Sequence, residues 1–554
     1  MSVPTSLRLL ALPVALLTAV LAAATPAAPA ALADDPVATT KTATAITADA
    51  GVAAWRADDG RLTVRIGSRA PVTTSLRPPA GAPLDVGARS GGGAQLIYAS
   101  GCSTRSDQCS LRTVALSTAT VAGTLRPRTV THVRYGGGGA PAVAIDGSRI
   151  AYAVRRGSCD VPYVRTTSQR RAATRRLDRG HCATIEQLDL GEGRVAVLAG
   201  PGNRRTEARV IRATGGPSRT LQAESQGEES NFVGAVSIDG GALYTARGGI
   251  RQANVFSRFS LKDFKRTEAR AFVSLVGPFA RDAGRQYYDQ QPAGGSLHCD
   301  GTGGLSPCLV VAGSDAFASG ERLLAPALAL TVSPQPVFTD TPASAVVTAA
   351  RRSVTRTAQA GSVPVGGLTI ELLSARLTQS APTAPAPTGA TATTGADGVA
   401  AVAIPGPAVP RRSLGAVSRP GSGGVAVQTP DTFLLQTFVH LTATPERLAD
   451  GRLRVSGTIS PAQPGRKVRL DRRLERVCNG QQPMSTVVTP STADTPAGCV
   501  DRWTQDPLAT AAVSADGASY SVAAATPAGV YRVSLDFAGG ADVLPGESPA
   551  ITAP

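Results

Sequence analysis

The chain has 554 residues, with 56 lysines and arginines against 40 acids and a formal charge of +16 at pH 7. Beyond the N-terminus no apolar run approaches the roughly 20 residues of a membrane-spanning helix, which leaves an uncleaved N-terminal anchor as the alternative to a soluble protein. Lysine occurs only as Lys41, Lys262, Lys265 and Lys467, so arginine carries the charge, an excess that favours polyanionic partners and is silent on fold.

The first residues predict the compartment. Arg8 precedes the apolar run Leu9 to Ala24, and a Pro/Ala stretch ends in Ala31-Leu32-Ala33. A basic start, an apolar run and a small-x-small site together mark a secretory signal peptide, here residues 1–33. No cysteine follows the apolar run to take a lipid, and Ile551 to Pro554 carries no hydrophobic tail or sorting signal. The expectation is a secreted, extracellular protein of about three domains, free or associated with the cell wall. In that oxidising compartment eight cysteines read as disulfides. Sequence leaves many connectivities open, and nearest-neighbour spacing favours Cys102 with Cys109, Cys159 with Cys182, Cys299 with Cys308, and Cys478 with Cys499. Each short closure would stabilise the fold by about 3 kcal/mol.

Six segments then repeat one plan: a small or acidic residue, glycine, and an apolar run reaching an aromatic or valine. They are Asp49-Ala-Gly-Val-Ala-Ala-Trp55, Gly92 to Tyr98, Asp146 to Tyr152, Gly191 to Val197, Asp239 to Tyr244 and Asp282 to Tyr288, with starts 43 to 54 residues apart. Asp-Gly and Gly-Gly supply the positive φ of tight hairpin turns. The stretches that follow suit buried strands, and no segment between residues 44 and 325 has helical periodicity. Four short strands with their turns fill about 40 to 50 residues, one blade of a propeller. Ala144-Ile-Asp-Gly-Ser-Arg-Ile-Ala-Tyr152 and Ser237-Ile-Asp-Gly-Gly-Ala-Leu-Tyr244 resemble the S-P-D-G-x-x-I-A-F core of TolB-like (WD40-like) repeats, lacking its proline. The resemblance implies a six-bladed β-propeller over residues 34–325 and no particular chemistry.

Composition shifts near Leu324-Ala-Pro326. Residues 326–430 resemble a bacterial immunoglobulin-like or carboxypeptidase-regulatory-like module, with Thr394-Gly-Ala-Asp-Gly-Val-Ala-Ala-Val as its turn into a late strand. The Pro/Ala/Thr-rich stretch Ser380 to Ala392 reads as a polar loop that does not pack. Residues 431–554 alternate polar with apolar, as in Arg452-Leu-Arg-Val-Ser-Gly-Thr-Ile459, and resemble a second immunoglobulin-like β-sandwich. Cys478 to Cys499 reads as an insertion in one of its inter-strand loops. The predicted fold class is all-β throughout.

No catalytic motif stands out: there is neither a G-x-S-x-G elbow nor an H-E-x-x-H. His181-Cys182 and His298-Cys299 place imidazole beside sulfur, but an oxidising compartment removes the thiolates a metal needs, so no metal or cofactor is expected. Ser237-x-Asp239-x-Gly241-x-x-Tyr244 has the spacing of a sialidase Asp-box, and the repeat aspartates read as turn formers. The sharpest charge feature holds Arg155, Arg156, Arg165, Arg170, Arg171, Arg175, Arg176 and Arg179 against Asp160 and Asp178. A second run from Arg466 to Arg476 is diluted by Asp471 and Glu475. The first cluster is the candidate docking face for an anionic cell-wall polymer or polysaccharide; nucleic acid is not expected, because only Tyr163 is interleaved as a stacking platform. The expected function is a non-enzymatic binding protein for such a polymer or for another extracellular protein. A carbohydrate-active glycosidase or lyase using channel-facing carboxylates is the alternative, and a purely structural envelope component the third.

Overall fold

A computed structural model describes residues 32–40, 45–103, 107–134, 140–167, 174–178, 182–200, 205–225, 232–248, 254–272, 276–290, 308–313, 322–354, 359–378, 381–382, 385–405, 411–419, 425–429, 432–478, 488–536 and 544–553. These residues are nearly all strand, joined by one short α-helix, Thr118–Ala122, and a 3-10 turn at Pro490–Thr492.

Each of the six repeats becomes the first hairpin of its own four-stranded sheet. The hairpins pair Ile46–Asp49 with Val52–Arg56, Leu84–Ala88 with Ala94–Ser103, and Val143–Asp146 with Arg149–Arg156. The next three pair Thr184–Gly191 with Arg194–Gly200, Phe232–Asp239 with Ala242–Gly248, and Val276–Asp282 with Arg285–Gln290. The turn chemistry is local: Gly147, at φ 58°, turns Asp146 back onto Arg149. Along the second strands Trp55, Tyr98, Tyr152, Val197, Tyr244 and Tyr288 are none more than 5% exposed. Burying one such aromatic stabilises by about 2–3 kcal/mol, so the repeat's aromatic is its packing residue.

The first strands of the six sheets touch one another in a closed cycle, the sixth against the first. The sixth sheet takes its outermost strand from the beginning of the chain, Asp35–Thr40, laid antiparallel on Cys308–Gly313. In a propeller-like ring each sheet covers a face of the next without a helix layer. Sheets two and three approach closely at Gly87, where a Cβ would lie 1.7 Å from the Ile145 carbonyl oxygen. Gly87→Ala is therefore expected to destabilise the ring by about 3 kcal/mol or more, read as a lower denaturation midpoint.

Strand Arg322–Ser333 leaves the ring and continues into the next segment, with an irregularity in its pairing between Leu323 and Pro326. It pairs with Ser344–Val354, which also carries Gln359–Pro364 and Val399–Ala403. Thr369–Thr378 pairs with Arg411–Arg419, which pairs with Phe433–Leu441 and so leads into the strands of the last segment. One apolar core joins Phe256, Phe279 and Tyr288 of the ring to Leu328, Val347 and Leu372. A separate core holds Val439, Leu453, Val468 and Tyr531 of the last segment.

One local expectation is corrected. The Pro/Ala/Thr-rich stretch contains a paired strand, Ala386–Thr393, on the edge of Thr369–Thr378, and Thr388 Oγ1 donates to the Leu372 carbonyl at 2.9 Å. An edge strand tolerates proline because half its N–H groups need no partner. Cys478 and Cys499 face each other directly across two paired strands, Lys467–Cys478 and Cys499–Trp503. Three disulfides form as spaced: Cys102–Cys109, Cys159–Cys182 and Cys478–Cys499. Cys299, expected to pair with Cys308, lies outside the described residues. No described helix is long and apolar enough to cross a membrane.

Candidate functional site

Around the ring axis, side chains of each first strand reach the backbone of the next sheet. Thr47 Oγ1 accepts from the Val86 N–H at 2.7 Å and donates to Asp85 Oδ1 at 2.9 Å, while Asp85 Oδ2 accepts from the Ile145 N–H at 2.7 Å. Asp49 accepts from the Ala88 N–H at 2.9 Å, and Asp189 from the Ile238 N–H at 2.6 Å. Glu192 takes the Gly241 N–H at 2.6 Å, and Ser237 Oγ the Arg281 N–H at 3.1 Å. Asp239 takes the Ala283 and Gly284 N–H groups at 3.2 and 3.0 Å. Asp282 accepts from the Gly51 N–H at 2.7 Å and so ties the last sheet to the first. The repeat aspartates thus form turns as expected, and they also staple neighbouring sheets, which spacing along the chain does not reveal.

Gathering these carboxyls in one place alters their acidity. Burial pushes Asp85 well above the usual carboxylate range, and repulsion from Asp189 adds to it. Asp189 is raised to about 7, mainly by burial and further by Asp49. Asp49 is raised to about 6 by burial, with Asp282 and Asp146 contributing. Carboxyls that hold a proton near neutrality can act as general acids. In a glycosidase two of them flank an open cleft about 5 to 10 Å apart. Here Asp49, Asp85 and Asp189 each already accept a main-chain hydrogen bond from the next sheet.

The arginine cluster sits on the third sheet. Cys159–Thr166 and Thr174–Arg176 form a hairpin, with the Cys159–Cys182 disulfide at its base. Arg155 pairs with Asp160 at 3.2 Å. Arg156 lies 5.7 Å above the Tyr163 ring, and Arg165 donates to Thr131 Oγ1 at 2.9 Å. Arg175 donates to the Thr214 carbonyl, and Arg176 Nε to that of Asp178 at 2.9 Å. Register separates them: Arg155 is opposite Asp160 at one end of the sheet, and Arg165 is opposite Thr174 at the other. Arg170, Arg171 and Arg179 lie outside the described residues. Asp178 is already committed to Arg209 at 3.4 Å and Ser218 at 3.0 Å. Hence Arg156, Arg165, Arg175 and Arg176 form no ion pair with any described acid.

The second basic run behaves differently. Arg469 pairs with Asp471 at 2.9 Å, and Arg473 and Arg476 pair with Asp501 at 3.5 and 2.6 Å. Asp501 comes from the neighbouring strand, so sequence proximity alone could not reveal that neutralisation. His132 shares a hydrogen bond with Ser110 at 3.1 Å, and His440 stacks on Phe338 at 4.7 Å. His181 and His298 lie outside the described residues, and no metal-ligand cluster occurs among the described ones.

Sequence reading also missed a cavity of about 450 Å³ between the fourth and fifth sheets, lined by Glu224, Arg247, Phe264 and Arg266 among others. Phe264 has a φ of 62° and is sandwiched between the Arg194 and Arg219 guanidinium groups at 5.0 and 4.8 Å. Its lining comes from several strands, so no compact motif announces it.

No family model matches the chain, and no curated protein is similar to it in sequence. Among solved structures, it is similar to TolB from Acinetobacter baumannii at 13% identity, covering 46% of this chain and 60% of that one, with a TM-score of 0.28. A PQQ-bound aldose sugar dehydrogenase from Streptomyces coelicolor is similar at 12% identity over 50% of this chain and 96% of that one, with a TM-score of 0.31. The β-propeller domain of Myceliophteria thermophila Cps50 (Swd1) is similar at 8% identity over 46% and 96%, with a TM-score of 0.29.

Proposed function

We propose that this is an exported, non-enzymatic binding protein that docks to anionic cell-envelope polymers through its third blade. In this reading residues 1–33 direct secretion, the six sheets of residues 34–325 are six blades, and residues 326–430 and 431–554 are immunoglobulin-like sandwiches. Three disulfides accord with an oxidising compartment. The observation that carries the function is that Arg156, Arg165, Arg175 and Arg176 form no ion pair with a described acid, whereas Arg469, Arg473 and Arg476 of the second basic run do. A purified anionic wall polymer should bind the mature protein at low salt and dissociate steeply as salt rises. Replacing the four arginines with alanine should weaken low-salt binding at least tenfold. Equal binding by wild type and variant would remove the third blade from the account.

One observation favours the carbohydrate-active alternative: the raised pKa values of Asp49 and Asp189. That reading requires glycan cleavage by the wild type and its loss in Asp189→Asn. Absence of cleavage of the same polymer by the wild type would leave the docking role alone.

A further inference from the structure

A second cleft, of about 390 Å³, lies where the ring meets the segment that follows it. Its lining is largely apolar, with Val37 and Pro71 on the ring side and Pro326, Leu368 and Val427 on the other. Three arginines reach it, Arg65, Arg69 and Arg351, against one exposed acid, Asp35. Arg351 is satisfied, donating to the Asp34 and Leu324 carbonyls at 2.8 and 3.1 Å. Arg65 is not. It is only 8% exposed, its Nε donates to the Arg69 carbonyl at 3.3 Å, and its Nη1 is buried with no hydrogen-bond partner. No described acid forms an ion pair with it.

A guanidinium removed from water without a counter-charge carries a large desolvation cost, which an anion in contact would offset. Ligand clefts concentrate at domain junctions and combine an apolar wall with a few convergent polar groups. We propose that this cleft binds a small amphiphilic monocarboxylate, its carboxylate on Arg65 and its hydrocarbon body on Val37, Leu368 and Val427. Arg65 is the buried guanidinium of the lining whose Nη1 has no hydrogen-bond partner, and it calls for one negative charge. The planar donor fork of arginine matches a carboxylate in particular. This site is separate from the third blade and independent of polymer docking.

The test is calorimetric titration of the full chain with octanoate, below its micelle concentration, and with uncharged octanamide. Octanoate should bind one to one, and octanamide at least tenfold more weakly. Arg65→Met should lower octanoate affinity at least tenfold and leave octanamide unchanged. Leu368→Trp, which fills the cleft from the opposite wall without touching Arg65, should abolish binding of both while near-UV dichroism stays native. The proposal is overturned if octanoate gives no saturable heat with wild type, or if octanamide binds equally well. Octanoate binding retained by folded Leu368→Trp overturns it as well.

Discussion

Asp34→Ala is expected to destabilise the protein by about 3–5 kcal/mol, the largest effect of any single replacement considered. Asp34 is fully buried at the junction of ring and following segment. It accepts from Arg322 Nε at 2.9 Å and from Arg322 Nη2, and from the Tyr288 hydroxyl at 2.6 Å. Burial and the Asp34 charge push the Tyr288 phenol well above its ordinary range, so it stays protonated and keeps donating. The Asp34 N–H donates to the Leu323 carbonyl at 2.8 Å, and Arg351 holds the Asp34 carbonyl. One residue thus anchors the start of the chain, the sixth sheet and the strand leaving the ring. Removing its carboxylate strands the Arg322 guanidinium, itself 7% exposed, away from water. Replacing both partners by apolar residues, Asp34→Leu with Arg322→Met, should recover much of the loss, since no buried charge then remains. Chemical denaturation of the two variants checks this. A double variant as unstable as Asp34→Ala would mean that packing, not charge, is what the junction needs.

The second prediction concerns pH. Asp189, raised to about 7, and Asp49, raised to about 6, bind protons more tightly in the folded chain than an ordinary aspartate carboxyl does at 3.8. Asp85, Asp146 and Asp282 are shifted the same way, each chiefly by burial. Between about pH 4 and pH 7 the folded state therefore holds protons that the unfolded chain has released, and stability falls as pH rises. The contribution is complete below the unfolded value and is lost through the folded one. Carboxyls lowered by hydrogen bonds, such as Asp501 with Arg476, act in the opposite sense and only as pH falls below about 4. The denaturation midpoint should thus be higher at pH 5 than at pH 8, by on the order of 1–3 kcal/mol in stability. Asp189→Asn keeps an oxygen for the Ile238 N–H and removes one titrating group, so it should flatten the profile and be more stable than wild type at pH 8. A wild-type profile level from pH 5 to pH 8 would show that the axial carboxyls ionise freely.

What the sequence determined by itself is what depends on neighbours in the chain. Hairpin turns rest on Asp-Gly and Gly-Gly pairs, and alternation marks the strands. The six repeats fall on six hairpins, and the nearest cysteines pair wherever they are described. Local turn chemistry and short loops fix such features before any long-range contact forms. The Ser380 to Ala392 stretch misled because composition reports an average, whereas the edge of an existing sheet offers hydrogen bonds that composition does not encode.

The tertiary structure decided everything that depends on distant partners. Asp85 bonds to Ile145, 60 positions away, and Asp34 to Arg322, 288 positions away. Asp49, Asp239 and Asp282, which read as turn formers, likewise bond to neighbouring sheets. Both arginine runs look alike in sequence, but Asp471 and Asp501 pair with Arg469, Arg473 and Arg476 of the second, while Arg209 and Ser218 occupy Asp178 beside the first. Electrostatic character depends on which acids lie within a few ångströms, and only the closed ring and its packed neighbour determine that. Arg65 is one polar position in a strand, and only the packed structure leaves its Nη1 buried without a hydrogen-bond partner.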